Sequence, residues 1–133
     1  MTVKTEKQNI GNVGEDIAAR FLMRHGYHII DRNYWKTFGE IDIVCRKDGK
    51  VHFIEVKTVS RETVSRETID EHRAEDNMHP AKLRRVGKAI ETYLLEKDIK
   101  EEWGFHGIVV RLDSVRKIAR VRLLQNLIIE QFA

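Results

Sequence analysis

Residues 39–57 read Gly-Glu-Ile-Asp-Ile-Val-Cys-Arg-Lys-Asp-Gly-Lys-Val-His-Phe-Ile-Glu-Val-Lys, and this stretch predicts the centre of the fold. Its Asp48-Gly49 pair stands between β-branched and aromatic residues, which is a strong signal for a two-residue hairpin turn. With that turn, Lys47 faces Lys50, and every other cross-strand pair follows. The stretch therefore predicts two antiparallel strands in a fixed register.

This register predicts a cluster of charged side chains on one face of the hairpin. Asp42 falls opposite Glu55, and Glu40 falls opposite Lys57. Side chains alternate between the two faces of a strand, so these four residues share one face. The other face is expected to be a core surface formed by Ile41, Ile43, Ile54 and Val56.

Two directly opposed carboxylates lie about 5 Å apart at Cβ and repel each other. Burial increases that penalty, so a shared proton, a lysine or a metal ion must compensate for it. Divalent cations such as Mg²⁺ are commonly held by a few carboxylate oxygens together with water and phosphate. Alternatively, the Glu-x-Lys pair is an ordinary solvated sheet face with a Glu40–Lys57 ion pair. A bulge would also shift the register and separate the acids.

Composition predicts a single domain spanning residues 1–133. The chain is 41% hydrophobic and 34% charged, which is typical of a soluble globular protein. A net charge of +3 permits nucleic-acid binding without arguing strongly for it. Residues 60–79 are predicted to form a long mobile loop, because they are acidic overall and include most of a doubled Val-Ser-Arg-Glu-Thr pentapeptide at residues 59–68.

Cys45 is the only cysteine, so no internal disulfide can form and a reducing compartment is expected. Its position on the first hairpin strand predicts a small buried hydrophobe. The N-terminal residues lack the apolar core of a signal peptide, and no stretch is apolar enough to span a membrane. We therefore expect a cytoplasmic protein with no membrane partner.

A first helix is predicted from Ile10 to His25, with Asn9 or Asn12 as its cap. Its buried stripe is expected to comprise Ile10, Val13, Ile17 and Phe21. Small Ala18 and Ala19 would let the helix approach a sheet closely. Glu15 borders the apolar side, where it either faces a site or simply favours the helix dipole.

A second helix is predicted from Pro80 to about Lys97. Its core stripe is expected to comprise Leu83, Val86, Ile90, Tyr93 and Leu94. Its first two turns carry the cations Lys82, Arg84, Arg85 and Lys88, although cations there oppose the helix dipole. Either a phosphate backbone or plain solvation would account for them.

Basic and aromatic residues precede the hairpin, among them Trp35, Lys36 and Phe38. They either grip and stack on a nucleic acid or cap the core. Further strands are predicted at residues 27–34, 107–114 and 118–124, with a closing helix at 125–132. The element order α-β-β-β-α-β-β predicts an α/β fold, with a mixed five-stranded sheet flanked by helices.

Four ordered motifs carry a resemblance to a known family: Gly11-x-x-Gly14-Glu15-x-x-Ala18, Gly39-Glu-Ile-Asp42-Ile-Val, Phe53-Ile-Glu55-Val-Lys57 and Arg111-Leu-Asp113. Together they resemble the YraN-like family of predicted endonucleases, which is related to archaeal Holliday junction resolvases. These belong to the PD-(D/E)XK nuclease superfamily. The resemblance spans the chain from about Gly11 to Phe132 and implies a restriction-endonuclease-like core.

The resemblance implies catalytic roles for Asp42, Glu55 and Lys57, with Glu15 as a helical acid. It implies that Mg²⁺ or Mn²⁺ is held by Asp42, Glu55, the Val56 carbonyl and, directly or through water, Glu15. The implied activity is hydrolysis of DNA phosphodiesters, extending to branched or recombining DNA, and related resolvases suggest a homodimer. A non-catalytic nucleic-acid-binding or scaffold module that keeps the nuclease fold is the alternative.

Nucleic-acid contacts are expected from the second helix and from the approach to the hairpin. The resemblance carries over only Lys82, while charge and aromatic character suggest Arg84, Arg85, Lys36 and Trp35. The 60–79 segment is longer and more acidic than the usual link in this family.

Overall fold

The computed structural model describes residues 6–60, 80–113 and 115–127, and for residues 6–8 only the backbone. Its elements, in chain order, are α1 (Glu6–Arg24), β1 (His28–Lys36), β2 (Gly39–Lys47), β3 (Lys50–Ser60), α2 (Pro80–Glu96), β4 (Trp103–Asp113) and β5 (Ile118–Leu124). This order confirms the predicted α/β arrangement.

The five strands form one mixed sheet in the order β1-β2-β3-β4-β5. Neighbouring strands are antiparallel except β3 and β4, which are parallel. A parallel pair needs a long crossover connection, and α2 belongs to the segment that makes it. The two hairpin strands, β2 and β3, therefore lie inside the sheet, and β3 is also a member of the parallel pair.

Of the described helices, α1 packs on one side of the sheet and α2 on the other, and the two sides are named here for these helices. The α1 face buries Ala18, Ala19, Leu22, Ile43, Cys45, Ile54, Ile108 and Val110. The α2 face buries Ile41, Val44, Val51, Phe53, Val86, Ala89, Ile90, Tyr93 and Phe105. Cys45 is fully buried, as predicted, and its Sγ lies 3.6 Å from the His52 carbonyl oxygen.

The hairpin turn has the predicted geometry. Asp48 and Gly49 have φ angles of 52° and 73°, and a two-residue type I′ turn requires a positive φ at both positions. Lys47 pairs with Lys50, and the same register continues as far as the pair of Ile43 and Ile54. The register prediction is confirmed over this length.

The prediction that Ile41 and Ile43 share one face is wrong. Ile43 is buried under α1, whereas Ile41 is buried under α2. The alternation breaks at Asp42, which lies between them. On β1, the residue between the partners of Ile41 and Ile43 is Asn33, which has a φ of 54°. This left-handed residue accounts for the break, because it interrupts the regular pleat of the neighbouring strand.

Helix α1 begins one turn before the predicted start, so Asn9 and Asn12 lie inside it and neither caps it. Val13 was predicted to be buried but is 47% exposed. The helix instead buries its small residues, since Gly14 packs so closely on Thr58 that an added Cβ would collide with it. The expected close approach to the sheet is confirmed by this packing.

The predicted stripe of α2 is confirmed, with Val86, Ile90 and Tyr93 buried and Leu83 and Leu94 packed at its margin. The closing helix does not begin at residue 125, since residues 125–127 are not helical and lie outside any strand. Residues 128–132 of that prediction lie outside the described residues. Ser60 ends β3, and the rest of the predicted 60–79 loop is likewise not described.

No helix within the described ranges combines the length and the apolar character that crossing a bilayer requires.

Candidate metal centre

An open cavity of about 640 Å³ lies where the paired register of β2 and β3 ends, between α1 and the start of α2. Its charged lining residues are Glu15, Glu40, Asp42, Glu55, Lys57 and Lys82. A second cavity of about 300 Å³ adjoins it, and the two share Glu40, Glu55 and Lys82. The structure therefore brings the predicted acidic residues and the predicted lysines to one place.

Asp42 is fixed by the backbone of the neighbouring strand. Its Oδ2 accepts a hydrogen bond of 2.7 Å from the Val56 N–H. The backbone pairing of β2 with β3 ends at Ile43 and Ile54. Beyond that pair, the Asp42 side chain provides a hydrogen bond between the two strands. Burial raises the pKa of Asp42 well above its ordinary value, the charge of Glu55 raises it further, and the Val56 hydrogen bond opposes the rise. Such a carboxylate binds a proton or a cation readily.

Glu55 is 5% exposed, and its two carboxylate oxygens have different surroundings. Oε1 lies 2.6 Å from the ammonium nitrogen of Lys82. Oε2 is buried and has no hydrogen-bond partner among the residues that the structure describes. Leaving a buried polar atom unsatisfied costs about 1–3 kcal/mol. Oε2 is therefore suited to coordinate a cation.

Glu15 is held by Arg32, which sequence reasoning did not identify as its partner. Its Oε1 accepts hydrogen bonds from Nε and Nη2 of Arg32, at 3.3 and 3.2 Å. Nη2 also lies 2.8 Å from Asp16, so the guanidinium bridges two acids. Burial raises the pKa of Glu15, while Arg32 acts in the opposite direction. No spacing signal links these residues, because they lie on α1 and β1.

The predicted nucleic-acid contacts are distributed unevenly around the cavities. Lys82 lines both, whereas Trp35, Lys36 and Arg85 line only the smaller one. Arg84 is exposed on α2 and lines neither of these two cavities. Trp35 is 65% exposed, which excludes the alternative that it caps the core. Lys36 is paired with Glu96 at 2.8 Å.

Across residues 6–60, 80–113 and 115–127, no three His, Cys, Asp or Glu side chains converge closely enough to hold a metal ion as they stand. Lys82 and Arg32 each hold one of the acids. The half-buried Asp42, whose pKa is raised, and the unpartnered Oε2 of Glu55 nevertheless fit an oxygen-preferring divalent cation. Glu15 would join them either through water or by leaving Arg32.

Sequence comparison identifies the family of this chain. Residues 14–118 match the model of uncharacterised protein family UPF0102, and the match contains every acid and lysine that lines the larger cavity. The chain therefore belongs to the UPF0102 family, which confirms the resemblance drawn from the motifs.

Relatives from several bacteria resemble the chain over most of its length. A UPF0102 protein of Wolinella succinogenes is 37% identical over 113 residues, covering 85% of this chain and 95% of the relative. One from Sulfurimonas denitrificans is 32% identical over the same shares of both chains. One from Campylobacter jejuni is 34% identical over 80% of this chain and 87% of its own length.

Proposed function

We propose that the protein is a metal-dependent endonuclease that hydrolyses DNA phosphodiesters, with branched or recombining DNA as candidate substrates. The observation that carries the proposal is a pair of carboxylates, the half-buried Asp42 and the buried Glu55, beside Lys57 in an open cavity. One or two carboxylates, completed by water and phosphate, are a common ligand set for Mg²⁺, and the cavity is wide enough to admit a ligand that brings a phosphate.

Mg²⁺ or Mn²⁺ would be held by Asp42, Glu55 and the Val56 carbonyl, with Glu15 contributing directly or through water. When bound, the ion would polarise the scissile phosphate and acidify an attacking water. The rest of the site would be supplied by the chain. The Val56 N–H orients Asp42, which limits the reorganisation needed to bind a cation. Lys57 would orient the water or stabilise the charge that develops on the phosphate.

The DNA backbone would be contacted from the second helix and the end of β1. Lys82 and Arg85 lie at the smaller cavity, next to Glu55, and Arg84 is exposed beside them. Lys36 and the exposed Trp35 also line that cavity. Cations would neutralise phosphates, and an indole would stack on a base. A homodimer would present two sites to the two equivalent strands of a junction.

The direct test is cleavage of junction, flap and single-stranded DNA in the presence of Mg²⁺ or Mn²⁺. Asp42→Asn should abolish cleavage, because it removes one carboxylate charge from the site. Asp98→Asn is the matched control, since Asp98 is exposed and its φ of 51° suits asparagine equally well. Cleavage by both variants at the wild-type rate would indicate a contaminating nuclease and refute the proposal.

The alternative is a non-catalytic nucleic-acid-binding or scaffold module. It is favoured by one observation, that Lys82 and Arg32 already neutralise two of the acids. Under this alternative, DNA binding would fall steeply with salt but would not depend on a divalent ion. Titration calorimetry that detects no uptake of Mg²⁺ or Mn²⁺ would support it over the nuclease proposal.

A further inference from the structure

Several arginines lie on the strands next to the candidate metal centre, and the strand register shows which face of the sheet their side chains occupy. Lys57 on β3 pairs with Val109 on β4, which pairs with Arg122 on β5. Residues directly opposite each other on neighbouring strands project to the same face. Lys57 and Arg122 therefore lie on one face of the sheet, separated by a single strand.

A second row runs parallel to the first, two residues further along β3. Val59 pairs with Arg111, and Arg111 pairs with Arg120. Because side chains two positions apart share a face, this row lies on the same side as Lys57. We call Arg111, Arg120 and Arg122 the arginine face.

The core packing identifies which side this is. The alternating residues Ile108, Val110, Val121 and Leu123 pack under α1. The arginine face therefore lies on the α2 side, the side on which Lys82 of α2 reaches Glu55. Helix α2 packs on β1, on β2 and on residues near the starts of β3 and β4, such as Phe53 and Phe105. Arg120 and Arg122 are exposed, and Arg111 is half-buried.

We propose that the arginine face binds the phosphate backbone of DNA that extends from the metal centre past Lys57. This inference rests on the proposed function and adds the surface along which the substrate lies. Neighbouring strands are about 4.8 Å apart, so β5 lies about 10 Å from β3. That distance matches about three nucleotides of a duplex strand at about 3.4 Å each.

Charge and geometry favour a phosphate backbone as the occupant. Guanidinium groups bind phosphate oxygens in a bidentate manner. On β5 an arginine occupies every second position, at residues 120 and 122, so both guanidinium groups lie on the same face. The DNA would then cross the protein from Lys82 and Arg85 on α2, over Glu55, to β5. Arg120 and Arg122 lie just beyond residues 14–118, the range that the family model matches.

The test compares two double variants with the same change in charge. Arg120→Gln/Arg122→Gln removes two cations from the arginine face. Arg20→Gln/Arg24→Gln removes two exposed cations from α1, on the other side of the sheet. Binding of duplex and single-stranded DNA is measured by fluorescence anisotropy at several salt concentrations. Binding of Mn²⁺ is measured by titration calorimetry as a check on the metal centre.

The β5 variant should bind DNA about tenfold more weakly. The slope of its log affinity against log salt concentration should correspond to about two fewer released counterions. The α1 variant should bind like the wild type, and both should take up Mn²⁺ normally. Arg120→Lys/Arg122→Lys keeps both charges, so it should retain most of the salt dependence. Thermal melting checks that each variant is folded.

Wild-type affinity and salt dependence in the β5 variant would overturn this inference and leave the nuclease proposal standing. Equal weakening in the β5 and α1 variants would overturn it too, because only the overall charge would matter. A wild-type protein that binds no DNA at any salt concentration would overturn both proposals.

Discussion

Lys82 holds one oxygen of Glu55 at 2.6 Å, while the other oxygen of that carboxylate is buried without a hydrogen-bond partner among the described residues. The Lys82 side chain is 39% exposed and reaches Glu55 from the first turn of α2, where the helix dipole does not favour a cation. Glu55 supplies the compensating charge. Lys82 is thus placed to compete with a divalent cation for this carboxylate.

Replacing Lys82 by methionine should strengthen Mn²⁺ binding. The ion would no longer displace an ammonium group, and a partly exposed ion pair contributes up to about 1 kcal/mol. That free energy corresponds to about a fivefold lower Kd, measured by titration calorimetry. Lys88→Met, which removes an exposed charge from the same helix, should leave the Kd unchanged. A Lys82→Met protein that binds Mn²⁺ no better than wild type would show that the ion pair does not compete.

Two glycines of α1, one turn apart, should respond oppositely to alanine. Gly11 has nothing within 4 Å of an added Cβ, so Gly11→Ala should raise the free energy of unfolding by up to about 1 kcal/mol. Gly14→Ala should lower it by about 1–3 kcal/mol, because the new methyl group collides with Thr58. Urea unfolding measures both changes. Stabilisation by both substitutions would mean that α1 does not approach β3 this closely.

Asn33 should tolerate glycine but not valine. Its φ of 54° is accessible to asparagine and glycine, whereas a β-branched residue is strained there. Asn33→Val should lower the free energy of unfolding by about 1–2 kcal/mol and weaken Mn²⁺ binding, since Asn33 lies beside the break at Asp42. Asn33→Gly should keep a wild-type affinity for Mn²⁺. Equal stability of the two variants would argue against a left-handed residue at this position.

A pair of histidines should make the protein less stable in mild acid. Nδ1 of His52 lies 2.9 Å from Nε2 of His106, and the Asn126 N–H donates to Nδ1 of His106. His106 therefore accepts at Nδ1 and donates from Nε2, as a neutral imidazole does. Burial is the main cause that lowers its pKa to about 4, and the charges of His52 and Lys50 act in the same direction. Burial is also the main cause of the lowered pKa of His52.

The sign follows from proton uptake. Between about pH 6.5 and pH 4 the unfolded chain binds a proton at His106 that the folded protein does not bind. The contribution of His106 to the free energy of unfolding should therefore fall as pH decreases through this range, by about 3 kcal/mol at most, while the raised pKa of Asp42 acts in the opposite direction. Urea unfolding from pH 7 to pH 4 measures this slope. His106→Gln should remove the histidine contribution from the slope, whereas His28→Gln, which changes an exposed histidine, should leave the wild-type slope unchanged.

The hairpin was predictable because its determinants are local. Asp48 and Gly49 fix the turn, and the turn fixes the register as far as Ile43 and Ile54. The face of the sheet on which Ile41 is buried was not predictable, since it depends on Asn33 in a different strand. A pattern within one strand contains no signal for an irregularity imposed by its neighbour.

The acids of the candidate site were predictable from the same register, but the cations that hold them were not. Arg32 reaches Glu15 from β1, and Lys82 reaches Glu55 from α2. Both contacts join residues far apart in sequence, and each requires the final packing of a helix on the sheet. Similarly, the arginine face appears only when the order and register of β3, β4 and β5 are known.

The buried thiol of Cys45 provides a native reporter of unfolding. Burial raises the pKa of the thiol to about 12, so alkylating reagents react with it only when the sheet under α1 opens. As the chain has one sulfhydryl, mass spectrometry can follow that opening without any engineered label. Adding DNA or Mn²⁺ during the labelling would then show whether either ligand slows the alkylation of Cys45 and so stabilises the folded protein.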